Sequence, residues 1–157
     1  MQAALDVEGG RLEEAKTRLL PLSNDTTDSA TRSALGGLLA WCELFISDAA
    51  LNDADMRSQQ ALSIEGSHIA YGARGAVLAK LGRAGEAVEH LRISLEHAPN
   101  DEWEAHFTAW LALAEARLGR QAEANRLLGI ASDLDPRCYS LPRVRAELCH
   151  EREVEDA

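Results

Sequence analysis

The sequence predicts an all-α fold in which antiparallel helix pairs follow one another along the chain. Three observations carry that expectation. First, Ala79, Leu81, Gly82, Arg83, Glu86, Ala87, Leu91, Ile93 and Pro99 recur at Ala116, Leu118, Gly119, Arg120, Glu123, Ala124, Leu128, Ile130 and Pro136, each 37 residues on; such self-similarity means stacked supersecondary units. Second, apolar residues from Ser67 onward recur at helical spacing. Third, glycines and prolines fall between the apolar segments, where helices must stop and turn.

The bulk properties bound the answer. At 157 residues and 46% hydrophobic content the chain suits one folded domain,. With 26 acidic against 16 basic residues, its net charge of −10 repels phosphate backbones, so nucleic acid is not an expected partner,. The longest apolar stretches are broken by Glu43, Glu115 or glycines, short of the ~18 apolar residues of a membrane span,. The opening Met-Gln-Ala-Ala-Leu-Asp-Val-Glu lacks the pattern of a secretory signal,. Cys42, Cys138 and Cys149 are odd in number and widely spaced, which argues against a disulfide framework,. A cytoplasmic location is expected.

Taken in order, the elements read as follows. Gly10, Ala15 and Leu19 mark the turn and start of a second helix, so residues 1–23 form a partial unit, with Pro21 ending its helix near Leu20,. Ser23 to Ser29 is a polar linker. A degenerate unit covers 30–66: a first helix over the apolar run Ala34 to Ile46, then a second carrying Ala54 and Ala61. The unit 67–101 puts Tyr71, Gly75 and Leu78 on one helical face and Ala87, Leu91, Ser94 and Leu95 on the next, with Gly82-Arg83 between,. Pro99 forbids continuation, and Asp101 with Glu104 has the D-x-x-E form of a capping box for the unit 102–138. Ser140, Leu141 and Pro142 read as the N-cap and start of a capping helix, 140–151, with a stripe of Leu141, Val144 and Leu148. The charged tail, 152–157, is expected to fray.

Small residues at Gly75, Ala87, Ala112, Ala124 and Ala131 let helices approach to roughly 8–10 Å. Tyr71, Leu91, Phe45 and Leu128 fill the volume between neighbours. One hairpin cannot bury its apolar face alone, so the units depend on stacking.

These units resemble the tetratricopeptide repeat, a helix-turn-helix unit of about 34 residues. Setting Pro99 on the family's terminal proline places Tyr71 on its aromatic, Gly75 on its glycine, Ala87 on its second-helix alanine and Leu91 in place of its phenylalanine. Pro136 anchors Ala112, Ala124, Ala131 and Leu128 in the same way, while Thr108 departs at the aromatic position and Glu115 at the tyrosine position. In the degenerate unit Leu38, Cys42 and Phe45 take the aromatic, glycine and tyrosine positions. The resemblance covers about residues 4–138.

The resemblance implies a right-handed superhelical solenoid whose first helices form a concave, partner-binding wall. Carried over by register, that wall presents Leu39, Glu43 and Ile46, then Ile69, Gly72, Ala76 and Lys80, then His106, Ala109, Leu113 and Arg117. Relatives that grip a terminal carboxylate use lysines and asparagines where this chain has Leu39, Glu43, Gly72 and Ala76, so a carboxylate clamp is not expected. A groove of small and apolar residues suits an amphipathic helix or an apolar extended segment, with Lys80 and Arg117 pairing with its acidic groups. Phe107 and Trp110 are expected in the core, and Trp103 as an exposed anchor.

No cofactor is expected. Glu86, His90 and His97 share a face, but the two histidines lie two turns apart, about 10 Å of rise, too far to share one metal ion. The sequence holds no glycine-rich phosphate loop, no G-x-S-x-G elbow and no H-E-x-x-H pair, so a non-enzymatic interaction module or scaffold is the expected function,. Two alternatives stand beside it. One is a homodimer or larger assembly through the incomplete N-terminal unit, with Leu5 and Val7 at its edge. The other is a regulatory arm of a larger enzyme or transcription factor.

Overall fold

The structure, a computed structural model, describes residues 10–155. Among them every regular element is a helix: α1 (Leu12–Asp25), α2 (Ser29–Ile46), α3 (Leu51–Ile64), α4 (His68–Lys80), α5 (Ala84–Glu96), α6 (Asp101–Arg117), α7 (Gln121–Leu134) and α8 (Ser140–Glu155), with a 3-10 turn at Asp48–Ala50. No helix among them is long and apolar enough to cross a membrane. Each helix packs on the next, and α2, α4, α6 and α8 also touch in succession.

That contact order separates an inner set of helices from an outer one. Helices α4 and α6 are apolar almost all round and bury nearly every residue of Ile69–Ala79 and Trp103–Glu115, as a helix enclosed on several sides must,. The outer helices bury one narrow stripe each: Ala15 and Leu19 on α1, Ala54, Ser58 and Ala61 on α3, Ala124, Leu127 and Ala131 on α7. Within the α4/α5 pair, Gly75 works as its position predicts. A Cβ there would lie 2.5 Å from Cγ of Leu91, so only glycine lets the two helices close.

The recurring Leu-Gly-Arg becomes the same turn twice. Gly82 (φ 81°) and Gly119 (φ 78°) adopt the left-handed conformation. The next amides then fold back five residues, Arg83 N to Leu78 O and Arg120 N to Glu115 O, both at 2.9 Å, which satisfies the helix-end carbonyls,. At the helix starts Asp28, Ser67 and Asn100 accept from the amides of Thr31 (2.7 Å), Ala70 (3.2 Å) and Trp103 (2.9 Å),.

Several boundaries differ from the sequence expectation. The N-cap of α6 is Asn100, and Asp101 is already helical, so the expected capping box does not form. Pro21 does not end α1, which runs on to Asp25. Proline forfeits its bond to the Thr17 carbonyl, but Thr17, Pro21 and Leu22 are all exposed, so water can satisfy that group,. Helix α2 begins five residues before the predicted Ala34. Helix α8 extends through Glu155, beyond the predicted end at 151, and Ser140 turns its hydroxyl onto α6 instead of capping its own helix.

Candidate functional site

The face shared by the inner helices is closed by the protein's own side chains. Along α4 it carries Ile69, Gly72 and Ala76, and that low profile lets aromatic rings from α2 and α6 meet above it. Trp41 packs edge-on against Trp103 (5.5 Å between centroids), His106 (5.5 Å) and Phe107 (6.0 Å), and Phe45 against Trp110 (5.7 Å). Offset and edge-to-face contacts of this kind are the favoured aromatic geometries. The segment leading into α8 completes the closure. Trp41 Nε1 donates to the Tyr139 hydroxyl at 2.7 Å, Phe45 lies 5.0 Å from the Tyr139 ring, and Arg143 Nη2 donates to the Phe45 carbonyl at 2.7 Å.

The eleven predicted wall residues therefore do not line an open groove. Ile69, Gly72, Ala76, His106, Ala109 and Leu113 are all buried. Trp103 is buried too, at 5% exposure, and is a core residue, not an exposed anchor, because Trp41 and Phe107 flank it. In α2 the register differs. Leu39 is buried at the floor of a cleft bordered by Ser23 of α1 and Ile64 of α3, and Ile46 borders another beside Gly10 and Leu12.

Glu43 is buried between α1, α2 and α3, where its Oε1 takes Arg57 Nε at 2.8 Å and Lys16 Nζ at 3.3 Å. Glu115 on α6 makes the matching connection: Arg92 of α5 at 3.2 Å and Arg120 at 2.8 Å. Glu43 thus faces the outer helices α1 and α3, whereas the sequence register puts it on the inner wall. Phe45 belongs to the inner aromatic cluster.

Lys80 and Arg117, at the ends of α4 and α6, do find carboxylates, all from the same chain. Lys80 Nζ lies 2.6 Å from Asp48 and 3.1 Å from Glu147, and the bond holds the Asp48 carboxyl below its ordinary pKa. Arg117 pairs with Glu151 at 2.5 Å and Glu147 at 3.6 Å, while its Nη1 donates to the carbonyls of Ala79 and Lys80. Basic residues are also favoured at helix C-termini, where the backbone dipole is negative.

A second polar cluster sits in the core. His106 Nδ1 lies 2.7 Å from Ser140 Oγ and 3.2 Å from Cys138 Sγ, and Trp110 Nε1 donates to Ser140 Oγ at 3.1 Å. The His106 Nε2 is buried with no hydrogen-bond partner among the described residues. Burial pushes the Cys138 thiol up to about 11 and the imidazole down to about 4. Near neutral pH the pair is thus uncharged, unlike the thiolate of a nucleophilic cysteine. Its work is to join α6 to the start of α8.

Sequence reasoning missed Trp41, Tyr139, Arg143, Glu147 and Glu151 at this face. A usable signal was present. Trp41 and Phe45 lie four apart, as do Trp103 and Phe107, with glycine and alanine on the helix between them, which suits rings meeting across α4. No family model matches the chain, and neither a curated protein nor a solved structure matches it significantly.

Proposed function

We propose that this chain is a protein-interaction unit, a tetratricopeptide-like right-handed superhelical stack that acts by binding and not by catalysis. The observation that carries the reading is the repetition: α4/α5 and α6/α7 are hairpins closed by the same turn, and their inner helices touch in succession. Repeats of this kind supply extended, modular surfaces for other proteins. The inner face meets a partner where the charged half of α8 now lies, because the remainder is filled by aromatic rings. A cytoplasmic setting is part of the reading, supported by three free cysteines, two of them buried,.

The test is site-directed photo-crosslinking of the whole chain in its native cell, with the probe placed in turn at the exposed Leu118, Cys149 and His150. The reading predicts a discrete adduct with another polypeptide from at least one position. Crosslinks confined to the chain itself at every position would reject it.

A second reading, self-assembly through the N-terminal edge, is favoured by α1. Among the described residues that helix packs chiefly on α2, and Leu22 near its end is half exposed. The expected edge residues Leu5 and Val7 lie outside the described residues. Sedimentation would show a dimer that Leu22→Glu dissociates; a monomer at all concentrations would exclude this arrangement.

A further inference from the structure

Lys80 and Arg117 are poorly hydrated cations, their side chains 7% and 15% exposed, and groups so placed need carboxylate partners,. Both sit at helix C-termini, and two backbone carbonyls fix the direction of Arg117. Glu147 and Glu151 answer them from α8, spaced four residues apart and so on one helical face,.

The two halves of α8 are held differently. The first is locked into the core through Ser140, Leu141, Arg143 and Val144. In the second, Leu148 is the last buried apolar side chain among the described residues, Cys149, His150 and Val154 are exposed, and Glu147 and Glu151 tie the helix to α4 and α6 through ion pairs. Glu147 and Glu151 are the better hydrated members of these pairs, 23% and 38% exposed, so they give up less hydration by pairing than the two cations do,.

We propose that Lys80 and Arg117 form a docking site for an acidic helix from another protein, carrying carboxylates four residues apart, and that the second half of α8 occupies this site as an intramolecular competitor. The proposal rests on the interaction-unit reading above and names the partner chemistry of its inner face. Charge complementarity carries it: the site already holds a helix of that description, and among the described residues Lys80 and Arg117 pair with Asp48, Glu147 and Glu151. Tethering keeps the competitor at high local concentration, so an external helix gains access only when α8 is weakened or outmatched.

The test uses the full chain and a labelled synthetic peptide with the sequence of residues 140–155. In a Glu147→Lys, Glu151→Lys variant, amide exchange over 147–155 should accelerate about tenfold, and the peptide should bind about tenfold more tightly than to the wild type. Adding Lys80→Glu and Arg117→Glu should reverse the charges once more, restore protection and abolish peptide binding. If the first variant loses its helical circular dichroism, Glu147→Gln with Glu151→Gln is judged by the same two readouts.

Unchanged protection of α8, or equal peptide binding by variant and wild type, would overturn the proposal and leave α8 a fixed cap. That outcome leaves the photo-crosslinking test untouched. Failure of the crosslinks beside successful peptide binding would remove the external partner and leave the second half of α8 as a displaceable helix of the chain itself.

Discussion

Gly72 on α4 lies directly beneath the ring of Phe107 on α6, so close that a Cβ at residue 72 would overlap Cε1 of the ring. The contact explains why the middle inner helix is built from glycine and alanine. Bulk on α4 would drive α6 away and separate Trp41 from the rings it touches.

Gly72→Ala should therefore destabilise the protein by about 1–3 kcal/mol, the usual cost of overpacking a core. Gly129 on α7 is the opposite case, since a Cβ there would meet nothing within 4 Å. Gly129→Ala should stabilise by about 0.5–1 kcal/mol through helix propensity. Urea denaturation of the two variants against the wild type reads both signs.

Glu115 and Leu78 occupy equivalent positions in adjacent hairpins, and both are buried. Replacing a buried ion-paired group by an apolar one of similar size is often neutral or better, and Arg92 and Arg120 are exposed enough to be hydrated,. Glu115→Leu should change stability by less than about 1 kcal/mol, whereas Glu115→Ala should lose about 2–4 kcal/mol to the cavity. Thermal denaturation separates the pair.

His106 makes stability depend on acid. Its imidazole is held down to about 4 by burial, against an ordinary value of 6.5. Below pH 6.5 the unfolded chain takes up a proton that the native site refuses, so stability is full above 6.5 and falls as pH approaches 4. The loss reaches at most about 3 kcal/mol. Unfolding free energies measured from pH 7 to 4 should fall more steeply for the wild type than for His106→Gln; parallel slopes would refute this assignment.

The three thiols should divide one against two. Cys149 is exposed, while burial raises Cys42 to about 12 and Cys138 to about 11. A disulfide reagent at pH 8 should titrate one thiol promptly in the native protein and the other two only on unfolding.

The hairpins α4/α5 and α6/α7 were legible because each confirms the other 37 residues away, down to the turn glycines Gly82 and Gly119. Helix α2 has no such twin in sequence. Its register slipped, exchanging the roles of Glu43 and Phe45, though both are single large residues on an apolar helix. Periodicity reports which side chains share a face but not what lies opposite. Gly72 and Ala76 therefore read as an open wall, when rings from helices on either side cover them. Lys80 and Arg117 were recognised as deep cations, but Glu147 and Glu151 lay in a segment read as a capping helix and its margin.

The closure of the inner face across α4 is tested most directly by nuclear Overhauser spectroscopy on the indole proton of Trp41. The account predicts slow solvent exchange of that proton and cross-peaks to the rings of Tyr139 and Trp103. Rapid exchange, with cross-peaks confined to α2, would contradict it.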